Sequence, residues 1–169
     1  MSEDEKRAKE IILEIMGDAI AEIIYIEYSD NPSIQKNGVD FVVILKSGRI
    51  LLVDDKMRKI ITTDLCIEMQ QIGKEYYPKK TMADILLYRI PGHRPFFIHT
   101  SMIETLFYCN PKWRRQVYRN RKGDGFCAYV PLEEFKKAAD HIFGNIESTP
   151  NHSYYDNNVN LPQLEVHYP

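Results

Sequence analysis

Two strand-like runs, Val39 to Leu45 and Arg49 to Lys56, flank the tripeptide Lys46-Ser47-Gly48. No other feature of the chain constrains its fold as tightly. Both runs are rich in β-branched and aliphatic residues. A glycine at the third loop position suits a three-residue turn closed by a left-handed bulge. The expected unit is an antiparallel hairpin in which Leu45 faces Arg49, Val43 faces Leu51 and, further from the loop, Asp40 faces Asp54. Facing residues project to the same side of a sheet, and alternation brings Lys56 to that side too. Val42, Ile44, Ile50 and Leu52 continue the face as apolar packing. Three ionisable side chains therefore gather at one end of an apolar surface. A two-residue loop would slip the register by one and set Asp40 against Asp55.

The rest of the chain supplies what such a hairpin packs against. Ala8, Ile11, Ile12, Ile15 and Met16 form one apolar stripe at helical spacing, with Ser2 placed to cap the helix and Gly17 to end it. Ile20 to Tyr28 reads as a strand and Ser29-Asp30-Asn31-Pro32 as a turn. Further strands are expected at Ile61 to Met69, Ala83 to Ile90, Arg94 to His99 and Phe126 to Val130. On the first of these, Leu65, Ile67 and Met69 point one way and Asp64, Cys66 and Glu68 the other. Gly73 to Lys80 reads as a loop. Ser101-Met102-Ile103-Glu104 matches a capping box that opens a helix toward Tyr108. A last helix begins at Pro131-Leu132-Glu133-Glu134 and runs to about Phe143. The predicted fold class is mixed α/β (α+β), a central mixed sheet flanked by helices. One domain is expected over 1–144, followed by a loosely packed tail over 145–169.

Composition excludes several classes. Lys and Arg number 22 and Asp and Glu 24, leaving a formal net charge of −2, so overall charge favours no polyanionic or membrane partner. Three cysteines, Cys66, Cys109 and Cys127, form no CxxC pair, and the five histidines show no metal-binding spacing. No apolar run approaches the roughly 20 residues needed to cross a bilayer. The acidic start Met1-Ser2-Glu3-Asp4-Glu5 is unlike a secretory signal. A cytoplasmic protein with reduced thiols is the expectation.

Gly38-Val39-Asp40, thirteen intervening residues, then Asp54-Asp55-Lys56 resembles the PD-(D/E)XK nuclease superfamily. A longer stretch, from Tyr28-Ser29-Asp30-Asn31-Pro32-Ser33-Ile34-Gln35-Lys36-Asn37-Gly38-Val39-Asp40 through the hairpin to Ile67-Glu68, is similar to a bacterial and phage branch of it. The resemblance covers roughly residues 20 to 90, about half the chain. One departure is Asp54, where glutamate is more usual. The resemblance implies a restriction-endonuclease-like core that hydrolyses phosphodiester bonds with Mg²⁺ or Mn²⁺, and DNA rather than RNA as the substrate. A homodimer is left open, since cutting two strands often takes two active sites.

The chemistry explains the residue types. Paired carboxylates repel one another and invite a hard divalent cation, which activates water and neutralises charge on the phosphoryl group. Asp40 and Asp54 are the proposed ligands, with the backbone carbonyl of Asp55 as a third; the Asp55 side chain is expected on the opposite face. Lys56 is assigned either as an electrostatic stabiliser or, with a depressed pKa, as a base. The resemblance adds Glu68, to hold a metal water or second ion, and Gln35, to orient the substrate or Asp40. The alternative for Asp54, Asp55 and Lys56 is a polar strand end, with Asp40 as a strand-entry cap.

A second feature is basic. Between Lys112 and Lys122, six of eleven residues are Lys or Arg and none is acidic. Lys112, Arg114, Arg115, Tyr118, Arg119 and Arg121 are the candidate nucleic-acid contacts, with arginines gripping phosphates and aromatic rings stacking on bases. The alternative is a solvated basic loop anchored by a buried Trp113.

Overall fold

The computed structural model describes residues 1–27, 29–30, 32–59, 62–119 and 125–143. Helix α1 (Glu3–Met16) begins with a reciprocal cap. The Ser2 hydroxyl accepts from the Glu5 N–H, and the Glu5 carboxylate accepts from the Ser2 N–H. Two donors with no partner inside the helix are satisfied in this way. Gly17 closes the helix at φ 49°, and Ala8, Ile11, Ile12 and Met16 form its buried face.

In chain order there follow β1 (Ile20–Tyr25), α2 (Pro32–Lys36), β2 (Phe41–Leu45), β3 (Ile50–Met57), β4 (Asp64–Ile72), β5 (Glu75–Pro78), β6 (Ile85–Arg89), β7 (Phe96–His99), α3 (Thr100–Cys109), α4 (Pro111–Arg115), β8 (Val117–Arg119), β9 (Phe126–Pro131) and α5 (Leu132–Phe143). The strands form two sheets. One is mixed, ordered β1-β2-β3-β6-β7, with β3 and β6 parallel and the other pairs antiparallel. The other is antiparallel, ordered β5-β4-β9-β8. The class is mixed α+β, with a central mixed sheet flanked by helices.

Strand β3 is central, bonded to β2 on one side and β6 on the other, and both of its faces are covered. Phe41, Val43, Leu51, Val53, Ile85, Leu87 and Phe97 pack under α1 with Ala8, Ile11 and Ile12. On the other face Leu86, Tyr88 and Ile98 meet Leu65, Ile67 and Met69 of β4, together with α3, Trp113 of α4 and Phe135 of α5. A strand buried on both sides is apolar without alternation. The polar triplet Asp54-Asp55-Lys56 starts where that apolar run stops, near the end of β3.

The three-residue hairpin turn is present. Leu45 donates to the Arg49 carbonyl at 2.9 Å, and the pairs Ile44/Ile50, Val43/Leu51, Val42/Leu52 and Phe41/Val53 follow. Several expectations need correction. Gly73 to Lys80 is not a loop: Gly73 turns β4 into β5, so Tyr76 and Tyr77 pair with Gln71 and Gln70. The turn after β1 is followed by a short helix, α2. Helix α3 starts at Thr100 with His99 at its N-cap and no side-chain cap, so the Ser101/Glu104 capping box is not used. Pro131 ends β9 rather than opening α5. The described part of the basic segment, up to Arg119, folds into α4 and β8. The 145–169 tail and Arg121 lie outside the described residues. Among the described residues no helix is long and apolar enough to cross a membrane.

Candidate active site

The ladder between β2 and β3 stops at Phe41 and Val53, and the chain bends there. The Asp40 N–H donates to the Val53 carbonyl at 2.9 Å, so Asp40 and Phe41 both stand against Val53, as in a bulge. The Asp40 carboxylate reaches across and accepts from the Asp55 N–H at 2.8 Å. Asp40 is therefore not a regular cross-strand partner of Asp54. It closes the end of the ladder with its side chain.

Asp54 and Lys56 project from β3 into a cleft of about 440 Å³ lined also by Gln35, Gly38, Glu68, Thr81 and Tyr88. The Lys56 ammonium lies 2.9 Å from Asp54 Oδ2 and 3.8 Å from Glu68 Oε1. Glu68 is held from its other oxygen by Lys79 at 3.6 Å. Gln35, Asp54, Lys56 and Glu68 thus converge on one cleft, to which Asp40 is adjacent without lining it. Asp55 points to the opposite face, as expected, and binds the guanidinium of buried Arg89 through both oxygens, one at 2.7 Å from Nε.

Electrostatics follow from this packing. Burial pushes the Asp54 carboxyl up to about 6, with Lys56 pulling the other way and the charges of Asp40 and Glu68 adding to the rise. Burial also raises Asp40, against the lowering effect of the Asp55 N–H. For Lys56, burial pulls downward, but Asp54, Glu68 and Asp40 more than reverse it, and the net direction is up. The pairing with Asp54 and Glu68 thus favours the charged form of Lys56.

Two features lack an evident signal in the sequence. Arg89 holds Asp55 from β6, and Tyr88 forms the buried cleft floor. Gly38 does carry one, as the end of an Asn-Gly pair. At φ 78° it brings backbone so close that a Cβ would stand 2.9 Å from Asp54 Oδ2 and 2.6 Å from Thr81 Oγ1. Thr81 in turn donates to the Asn37 carbonyl at 2.9 Å, holding this turn against the cleft.

The basic segment does not line the cleft. Trp113 is buried with Phe107 and Phe135, and its indole N–H donates to Glu134 at 2.6 Å. It is unavailable for stacking on a base. Lys112 pairs with the same Glu134 at 2.6 Å. Arg114 lies over the Tyr77 ring and 3.5 Å from Glu75. Arg115, Tyr118 and Arg119 are exposed.

The donor set suits a hard cation. Buried Asp54 and half-buried Asp40, both with raised pKa, repel each other, and a cation held by the two would relieve both the burial and the repulsion. Among the described residues no three His, Cys, Asp or Glu side chains stand close enough to hold a metal ion by themselves.

The fold and site define a mixed α+β domain with a carboxylate–lysine cleft along a parallel strand pair. No protein-family model matches the chain, and no curated protein matches it. Among solved structures it is similar to Hjc, a Holliday junction resolvase from the archaeal hyperthermophile Archaeoglobus fulgidus. The TM-score is 0.39 and the identity 14%, over 77% of this chain and 88% of that one.

Proposed function

We propose that this protein is a nuclease of restriction-endonuclease-like type, using Mg²⁺ or Mn²⁺ to hydrolyse phosphodiester bonds, with DNA preferred over RNA. One observation carries the reading. A buried carboxylate, Asp54, and a charged lysine, Lys56, stand 2.9 Å apart in an open cleft, in the acid-x-lysine order of the PD-(D/E)XK pattern. When bound, the ion supplies an activated water and offsets phosphate charge. Asp54 and Asp40 would hold it, with the Asp55 carbonyl as the third donor. The Lys56 ammonium stabilises negative charge that builds on the phosphoryl oxygens. Glu68 keeps Lys56 at the mouth of the cleft, and Gln35 of α2 orients the incoming strand.

The test is cleavage of plasmid and single-stranded DNA by the purified chain with Mg²⁺ or Mn²⁺, beside Asp54→Ala and Lys56→Ala variants whose circular dichroism is unchanged. Both variants are expected to be inactive. Undiminished cleavage by both overturns the site. The rival reading is a silent nucleic-acid-binding or protein-binding module, favoured by the fact that Lys56 already neutralises Asp54. Calorimetric titration with Mn²⁺ separates the two, because a silent module has no ion site that depends on Asp54.

A further inference from the structure

The antiparallel sheet carries two exposed tyrosines beside the cleft, on the face that bears Glu68 and Cys66. The register fixes their place. Glu68 of β4 lies across from Cys127 of β9, which lies across from Tyr118 of β8, while Cys66 lies across from Tyr129. Facing residues share a side. Glu68 and Cys66 also line the cleft, so the two rings stand on the side of the antiparallel sheet that bears these two cleft residues. Tyr118 and Glu68 are two strand spacings apart, roughly 10 Å between backbones. Of the basic segment, Tyr118 turns to this side, whereas Val117 and Arg119 pair with Ala128 and Phe126, whose side chains belong to or pack on the core.

The rings are open to solvent, Tyr118 being 59% and Tyr129 36% exposed. Their centroids lie 6.2 Å apart with planes at 50°, and the Arg58 guanidinium lies over the Tyr129 ring, 5.9 Å from its centroid. Two rings flanked by Arg58 and Glu68 form too small and too polar a patch for a stable protein interface, which takes about 800 Å² from each partner. Exposed rings with a guanidinium stacked over one of them do match a nucleobase and its phosphate. Bases inside a duplex are already stacked and present no free face, whereas unpaired bases do.

We propose that Tyr118 and Tyr129, with Arg58, form a stacking platform for unpaired nucleobases of the strand whose phosphodiester enters the cleft. This rests on the nuclease reading above and deepens it: the substrate class is nucleic acid with unpaired nucleotides next to the scissile bond.

The experiment reads binding without cleavage. The full chain, in EDTA, is titrated with a single-stranded DNA oligonucleotide carrying 2-aminopurine, and separately with the same sequence as a duplex. Fluorescence reports stacking, and anisotropy reports affinity. Tyr118→Leu and Tyr129→Leu should each weaken single-strand binding about tenfold and remove the fluorescence change, with duplex binding unaltered. The Phe variants should retain both. Equal losses on both DNAs, or no loss on the single strand, overturn the platform. So does a Leu variant that changes the oligomeric state on sedimentation, which would make the face a contact between copies. Cleavage is assayed separately. Ring-dependent binding without any cleavage overturns the nuclease reading alone, and cleavage without ring dependence overturns the platform alone.

Discussion

Lys56 Nζ lies 2.9 Å from Asp54 Oδ2 and 3.8 Å from Glu68 Oε1, so one lysine ties strand β3 of the mixed sheet to strand β4 of the antiparallel sheet. The cleft therefore depends on two sheets meeting at a charge, and its carboxylates depend on that charge for their ionisation. Lys56 lowers the Asp54 pKa against the effect of burial. Replacing Lys56 by Met should raise the Asp54 carboxyl further above about 6, visible in carboxyl-carbon NMR titration. Hydrolysis should be lost in the same variant. Arginine should not restore it, because a planar, forked guanidinium cannot take the place of a compact ammonium. An Asp54 carboxyl that stays put or moves down in the Met variant contradicts the pairing.

Gly38 sets how closely backbone can approach Asp54. Its φ of 78° already disfavours a side chain, and a Cβ would press on both Asp54 Oδ2 and Thr81 Oγ1. Gly38→Ala is expected to cost about 1–3 kcal/mol of stability and, by displacing the carboxylate, up to about a hundredfold in turnover. Thermal denaturation and cleavage rates measured well below the melting temperature separate the two effects. Full turnover with reduced stability would mean that Asp54 does not have to sit where it does.

The Asp55–Arg89 pair is buried on the α1 side of the sheet and anchors β3 to β6 one step from the cleft. Asp55→Ala strands a guanidinium that is almost inaccessible to water, which should cost about 3–5 kcal/mol. Asp55→Leu combined with Arg89→Met should recover much of that, since an apolar pair of similar volume needs no desolvated charge. A double-mutant cycle in urea measures the coupling. Additive losses would show that the two side chains act independently.

These relationships explain how far the sequence could be read. The α1 stripe and its Ser2 cap were legible because both signals are local and period-specific. The hairpin register was legible from Gly48 and holds through Phe41 and Val53. It fails one residue later, at Asp40, where the strand entry bends and the carboxylate turns to the Asp55 N–H. A bulge of that kind leaves no mark on alternation. Lys56 is placed by hairpin alternation, but Gln35 and Glu68 are named only by family resemblance, because their approach to it arises from two sheets and a short helix meeting at long range. The basic run from Lys112 shows the opposite case. Charge content is local, but where the charges go is decided by Trp113, which is drawn into the core and leaves Lys112 and Arg114 beside Glu134 and Glu75.

Burial of Asp54 also sets the pH dependence of the fold. The residue is 4% exposed, and burial, ahead of every other influence, lifts its carboxyl to about 6; Asp40 moves the same way for the same reason. An aspartate in an unfolded chain titrates near about 3.9. Between these values the folded protein keeps a proton that the unfolded chain has released. The stabilisation is therefore complete below about pH 4 and is lost as pH rises through about 6. The difference corresponds to roughly 3 kcal/mol. Glu5 and Glu134, whose carboxyls are lowered, oppose this only at more acidic pH, and Lys56 titrates far above it. In EDTA, the denaturant midpoint should fall between about pH 5 and about pH 7.5, and Asp54→Asn should flatten the slope because an amide has no proton to release. A midpoint that rises over the same interval would mean that the ion pair with Lys56 outweighs burial and that Asp54 is charged at low cost.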